Sequence, residues 1–99
     1  ALDLAASKLL ANADRWLDDG VFSRDVIDLA MMRLRLLMLR EALSKAEQAY
    51  GPAVRRDLGR AIDRLAERTG WLERCMQAMA IRVPKALLWQ RIRALRRVL

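Results

Sequence analysis

The stretch Tyr50-Gly51-Pro52-Ala53-Val54-Arg55-Arg56-Asp57-Leu58-Gly59-Arg60-Ala61-Ile62-Asp63-Arg64-Leu65 decides the fold class. Glycine closes a helix in the left-handed conformation, and proline suits the first turn of the next helix. Tyr50-Gly51-Pro52 therefore reads as a helix junction. Beyond it, Val54, Leu58, Ala61, Ile62 and Leu65 recur at the i, i+4, i+7, i+8 spacing of one buried face. Arg56, Arg60 and Arg64 repeat every four residues on the exposed face. Asp57, Asp63 and Glu67 are interleaved with them and offset much of their charge. This helix is expected to span about 52–69.

Toward the N-terminus, the segment Val26 to Leu39 is apolar almost all round, the pattern of a central helix. Ser23 is a good N-cap for it, and Asp25 suits the positive end of its dipole. The expected span is about 23–49, either continuous to Tyr50 or broken near Arg33–Leu37. Before it, Leu2, Ala6, Leu9, Leu10, Ala13 and Leu17 form a stripe with Trp16 beside it, while Lys8, Asn12 and Arg15 lie on the other side. That helix is expected over about 3–18, ended by Asp19-Gly20. Toward the C-terminus, Gly70 precedes a short helix over about 71–81, and Pro84 opens another over about 85–98. In the last helix Leu88, Ile92, Leu95 and Leu99 should pack inward, with Arg93, Arg96 and Arg97 facing out. The five methionines sit at helical spacing as core filler.

The composition agrees with an all-α chain. Leu supplies 18 of the 99 residues and Ala 16, against 4 Gly and 2 Pro. Hydrophobic residues make up 55%, which excludes intrinsic disorder. This length holds one core with a radius of gyration of about 13 Å. The expectation is a single domain over 1–99, a compact bundle of four to five helices. There is no His, which removes imidazole acid–base work, Ser–His and Cys–His pairs and His-dependent metal sites. The single Cys75 cannot form an internal disulfide and reads as a small buried hydrophobe. No run of eighteen apolar residues occurs, so a cytoplasmic protein with no membrane partner is expected.

The net charge of +7 is uneven. Residues 1–22 carry −2 and residues 23–51 carry +1. Residues 52–99 hold twelve basic and four acidic residues, which is +8. From Arg82 to Leu99 there are six basic residues and no acid. This suits an anionic partner such as RNA or DNA, with Lys85, Arg91, Arg93, Arg96 and Arg97 as the contacting set. The plainer alternative is a solvated surface in an Arg-rich protein.

The motifs of P-loops, dinucleotide folds and nucleophile elbows are absent. What remains is a charged set around the first helix connection: Lys8, Asp14-Arg15 and Ser23-Arg24-Asp25-Val26-Ile27-Asp28-Leu29. Asp25 and Asp28 share one face at a helix start. Asp28 lies in an apolar run, where a free carboxylate is costly unless paired, and Lys8 or Arg15 on an antiparallel neighbour could pair with it. The outcome is either an ion pair locking two helices or a polar wall for a phosphate or metal-bound nucleotide. Lys would then act as a point charge for phosphate and a carboxylate as a metal-side group.

The stretch Leu4-Ala5-Ala6-Ser7-Lys8-Leu9-Leu10-Ala11-Asn12-Ala13-Asp14-Arg15, followed by Ser23-Arg24-Asp25-Val26-Ile27-Asp28-Leu29-Ala30, resembles the helical C-terminal motif of the abortive-infection, AbiEii-like nucleotidyltransferase family. These are toxin components of bacterial toxin–antitoxin pairs. Family members show a K-L-x-A-x-x-D-R helix, a short connection and an R-D-x-x-D-[LI] helix. Lys8, Asp14, Arg15, Arg24, Asp25, Asp28 and Leu29 match position by position, over roughly the first 30 residues. The resemblance implies that the chain is the helical C-terminal part of a longer protein. The catalytic Gly-Ser and paired carboxylates would come from an N-terminal αβ domain, which nothing here matches. Lys8, Arg15, Arg24, Asp25 and Asp28 would complete a nucleotide cleft, with no catalytic residue and no cofactor in the isolated chain. Mg2+ and a nucleoside triphosphate are implied for the intact protein, and an antitoxin as partner. Two alternatives stand beside this: a stand-alone basic module binding nucleic acid, and a helical protein–protein interaction domain anchored by Trp16, Trp71 or Trp89.

Overall fold

In a computed structural model that describes all residues, Ala1–Leu99, the apolar stripes fold into six α-helices and no strand. They are α1 (Leu2–Arg15), α2 (Arg24–Met31), α3 (Leu36–Tyr50), α4 (Ala53–Glu67), α5 (Trp71–Ala78) and α6 (Lys85–Ala94). Short 3-10 turns follow α1, at Asp19–Val21, and α6, at Leu95–Val98. The all-α class holds, and the expected four to five helices become six. α1 is covered by α2, α3 and α4; α6 packs on α2, and the C-terminal 3-10 turn returns onto α3. No helix is long and apolar enough to cross a membrane.

The sixth helix comes from the segment expected over about 23–49, where of the two alternatives the break near Arg33–Leu37 is the one realised. A straight helix of that length would run about 40 Å. The molecule measures 34 × 25 × 20 Å, so such a helix would project from it. The chain breaks at Met32–Arg35 instead: Arg33 is left-handed at φ 53° and Arg35 is extended. Left-handed backbone costs a residue other than Gly roughly 1 kcal/mol or more. The break folds both halves onto one core. Val26, Ile27, Leu29 and Ala30 from α2 join Leu39, Ala42, Leu43 and Ala46 from α3, all at most 3% exposed. Full burial of such a Leu or Ile contributes about 1.5–3 kcal/mol, which outweighs the strain at Arg33.

Other boundaries also differ. α1 stops at Arg15 rather than Asp18, because the Asp18 carboxylate accepts the Gly20 backbone N–H at 2.8 Å and opens the 3-10 turn. Ser23 precedes α2 but is left-handed and makes no side-chain cap; its hydroxyl is committed elsewhere. α5 ends at Ala78, before a left-handed Ala80, and α6 gives way to a 3-10 turn at Leu95. The Gly51-Pro52 junction holds as expected, with Gly51 at φ 87°.

The facing of some residues is corrected too. Asn12 is buried, because α1 is covered on several sides, and its amide nitrogen has no partner. Leu17 lies beyond the shortened α1 and is 63% exposed. Asp57, expected on the charged face of α4, is buried. At the C-terminus Val98 is buried while Leu99 is exposed, since the 3-10 turn rotates the expected stripe. Arg55 fixes this end by donating to the Val98 carbonyl and to Glu47 of α3, both at 2.9 Å.

Candidate functional site

The charged set around the first helix connection assembles on α1 and α2, which run antiparallel. Along α1, Lys8 and Arg15 are seven residues apart and share a face. On α2, Asp25 and Asp28 are three apart. The face of each helix therefore meets that of the other: Arg15 reaches Asp25, and Lys8 reaches Asp28.

The two pairs differ in kind. Arg15 grips Asp25 bidentately, Nε to Oδ2 at 2.7 Å and Nη2 to Oδ1 at 2.9 Å. The Asp25 side chain is only 3% exposed. Its hydrogen bonds and charge hold the Arg15 guanidinium pKa above the usual arginine value. This two-pronged geometry fixes orientation as well as charge. Lys8 Nζ donates to Asp28 Oδ2 at 2.8 Å and stands 4.0 Å from Asp25 Oδ1. Here the side chains are 25% and 33% exposed, so solvent reaches both. Which carboxylate is buried thus reverses the expectation: Asp25, not Asp28, is the one enclosed. Arg24, the fifth residue of the expected set, is exposed at the start of α2 and takes no part in either ion pair. No three metal-binding side chains gather anywhere in the chain.

Of the second expected set, near the C-terminus, Arg91 and Arg97 line one cleft, and the other three residues lie outside it. Lys85 pairs with Glu73 at 3.1 Å and Arg96 with Asp63 at 3.1 Å. Arg97 Nε donates to the Ala94 carbonyl at 2.9 Å. Arg91 touches only the Met31 sulfur, at 3.8 Å, and Arg93 is exposed. Of the three tryptophans, Trp71 is buried and Trp16 and Trp89 are half-buried.

A third cluster ties the connection between α1 and α2 to α4 and α5. Arg68 grips Asp19 with two hydrogen bonds of 2.8 and 2.9 Å, and Arg64 donates to the same carboxylate. These bonds, Arg68 first, hold the Asp19 pKa below the usual carboxylate value. The Arg68 guanidinium also lies 4.3 Å from the Trp71 ring centre, a cation–π contact. On Trp71, Phe22 stacks at 5.9 Å, and the indole N–H donates to Ser23 Oγ at 2.9 Å. Cys75 is buried nearby, and burial pushes its thiol pKa up to about 11. Sequence reasoning missed this cluster. Its partners lie 45 to 49 residues apart, and the only local signal was Arg64 and Arg68 one helical turn apart.

No family model matches the sequence, and no curated protein or solved structure matches the chain.

Proposed function

We propose that this bundle is the helical C-terminal part of a cytoplasmic, nucleotidyltransferase-like toxin protein, where it completes a nucleotide cleft formed mainly by an N-terminal domain. The observation that carries the proposal is the division of labour between the two ion pairs. Arg15–Asp25 is bidentate and its carboxylate is enclosed, though Arg15 itself is 43% exposed, as suits a clamp between helices. Lys8–Asp28 stands beside it, single-pronged and open to solvent. A pair needed only to lock α1 on α2 gains little from such exposure. The two open residues are also positions at which the sequence resembles the family.

In this reading Lys8 supplies a compact positive charge for a phosphate, which replaces Asp28 as its partner. Arg24 adds a second cation at the start of α2. Asp28, freed from Lys8, orients the bound nucleotide's polar groups. Asp25 holds Lys8 and Arg15 in register. Mg2+ keeps several waters and accepts one or two carboxylates, so Asp28 fits as a single ligand. The remaining ligands would belong to the N-terminal domain. The antitoxin and an RNA or DNA acceptor complete the set of proposed partners.

Reading the coding DNA upstream of Ala1 is the first test, with an in-frame αβ domain carrying Gly-Ser and nearby carboxylates as the expected result. In the intact protein, Lys8→Ala and Asp28→Asn should then each lower nucleotide transfer at least ~100-fold. Melting temperatures should stay within a few degrees. Full activity in either variant excludes the residue from the cleft.

A further inference from the structure

The arginines divide by whether a carboxylate meets them. Arg15, Arg55, Arg56, Arg64, Arg68 and Arg96 are ion-paired. Three of the others, Arg33, Arg91 and Arg97, line one cleft of about 190 Å³ between α2 and the C-terminal helix. Its remaining wall is apolar, including Leu29, Leu34 and Leu95, and it contains no acidic residue.

We propose that this cleft binds a phosphate ester, with the phosphate held among Arg33, Arg91 and Arg97 and the adjoining part of the ligand lying on Leu29, Leu34 and Leu95. Three like charges around one cleft, with no acid among them, favour an anion there. The planar guanidinium fork matches phosphate oxygens in pairs. The donors are also free. Arg97 spends only Nε on the Ala94 carbonyl, which leaves both terminal nitrogens. Arg91 leans on the Met31 sulfur, a weak acceptor. Arg33 makes no side-chain hydrogen bond within the chain, and it occupies the strained left-handed position at the break between α2 and α3. Size restricts the ligand further: pockets for whole drug-sized molecules run from about 300 Å³ upward. At about 190 Å³ the cleft takes a phosphate and its attachment, with the rest of the ligand outside.

The site does not rest on the nucleotidyl-transfer reading, since none of its lining residues comes from α1 and neither Lys8 nor Asp28 takes part. Two sources present the same chemistry: a phosphodiester of a nucleic acid strand and the terminal phosphates of a free nucleotide. The test uses the 99-residue chain and fluorescence anisotropy of a short, fluorescein-labelled oligouridylate at low salt, with inorganic pyrophosphate and ADP as competitors. Arg91→Gln, Arg97→Gln and Arg33→Gly should each weaken binding at least ~5-fold and reduce the salt slope by about one. Arg33→Gly removes the side chain while relieving its backbone, so it keeps the fold. Arg74→Gln and Arg60→Gln, exposed arginines outside the cleft, should change binding less than ~2-fold. Displacement by pyrophosphate or ADP assigns the site to a terminal phosphate; cleft-dependent binding that they do not displace assigns it to a strand. Equal losses in cleft and control variants, or no binding of any probe at low salt, overturn the proposal.

Discussion

Asp25 and Asp28 sit one turn apart on α2 yet should respond differently to the same substitution. Asp25 is enclosed and takes two hydrogen bonds from Arg15, so Asp25→Ala leaves the guanidinium without its acceptor. Because Arg15 is 43% exposed and can return to water, the expected loss is about 1–3 kcal/mol, less than for a fully buried pair. Asp28→Asn disturbs an open pair and should cost under about 1 kcal/mol. Urea unfolding of both variants checks the contrast. Cys75 gives a second residue-scale prediction. With its thiol pKa pushed up to about 11 by burial, almost none of it is thiolate near neutral pH. A thiol reagent at pH 8 should label the native chain far more slowly than the chain in denaturant. Comparable rates in the two states would show that Cys75 is accessible.

At the scale of elements, the helices that were legible in the sequence are those with punctuation. Gly51-Pro52 and Pro84 mark real starts, and the α4 stripe from Val54 to Leu65 is buried throughout. The break between α2 and α3 carried no such mark, which left a continuous helix and a break near Arg33–Leu37 as equal alternatives. The apolar pattern runs through it, and the left-handed residue there is an arginine, not a glycine. Only the limit set by the whole core forces the chain to turn at that point. Arg33→Gly should therefore stabilise the protein by about 0.5–1 kcal/mol, since relief of strain exceeds the added chain entropy. Thermal melts decide this, and a lower melting temperature would mean that the Arg33 side chain holds the break in place. The candidate site was half legible for a related reason. Spacing within a helix places Lys8 with Arg15 and Asp25 with Asp28. The choice of partner, and which carboxylate is enclosed, depends on the shift of α1 along α2, which no local spacing encodes.

For the molecule as a whole, a few surface carboxylates should add a modest, salt-screened share of the acid sensitivity. Arg68 holds Asp19, Lys45 holds Asp3, and a backbone hydrogen bond with help from Lys85 holds Glu73, each below its ordinary pKa. In the unfolded chain these groups take up protons near pH 4, whereas in the folded chain they stay ionised to lower pH. Their contribution is thus fully present above that range and is lost as the pH falls through the folded-state values. The melting temperature should drop from pH 5 toward pH 2, and Asp19→Asn should flatten that slope. An unchanged slope would show that the Asp19–Arg68 grip adds nothing in solution. The same cluster has a consequence in time. Helices α1 to α6 form from neighbours in sequence, but the bond from Trp71 to Ser23 joins residues 48 apart. Loop closure of that length is entropically costly and is rewarded only after both segments are in place. Trp71→Phe should therefore leave the refolding limb of a chevron nearly unmoved and raise the unfolding limb at unchanged slope, so that the indole acts as a latch on unfolding rather than a nucleus for folding.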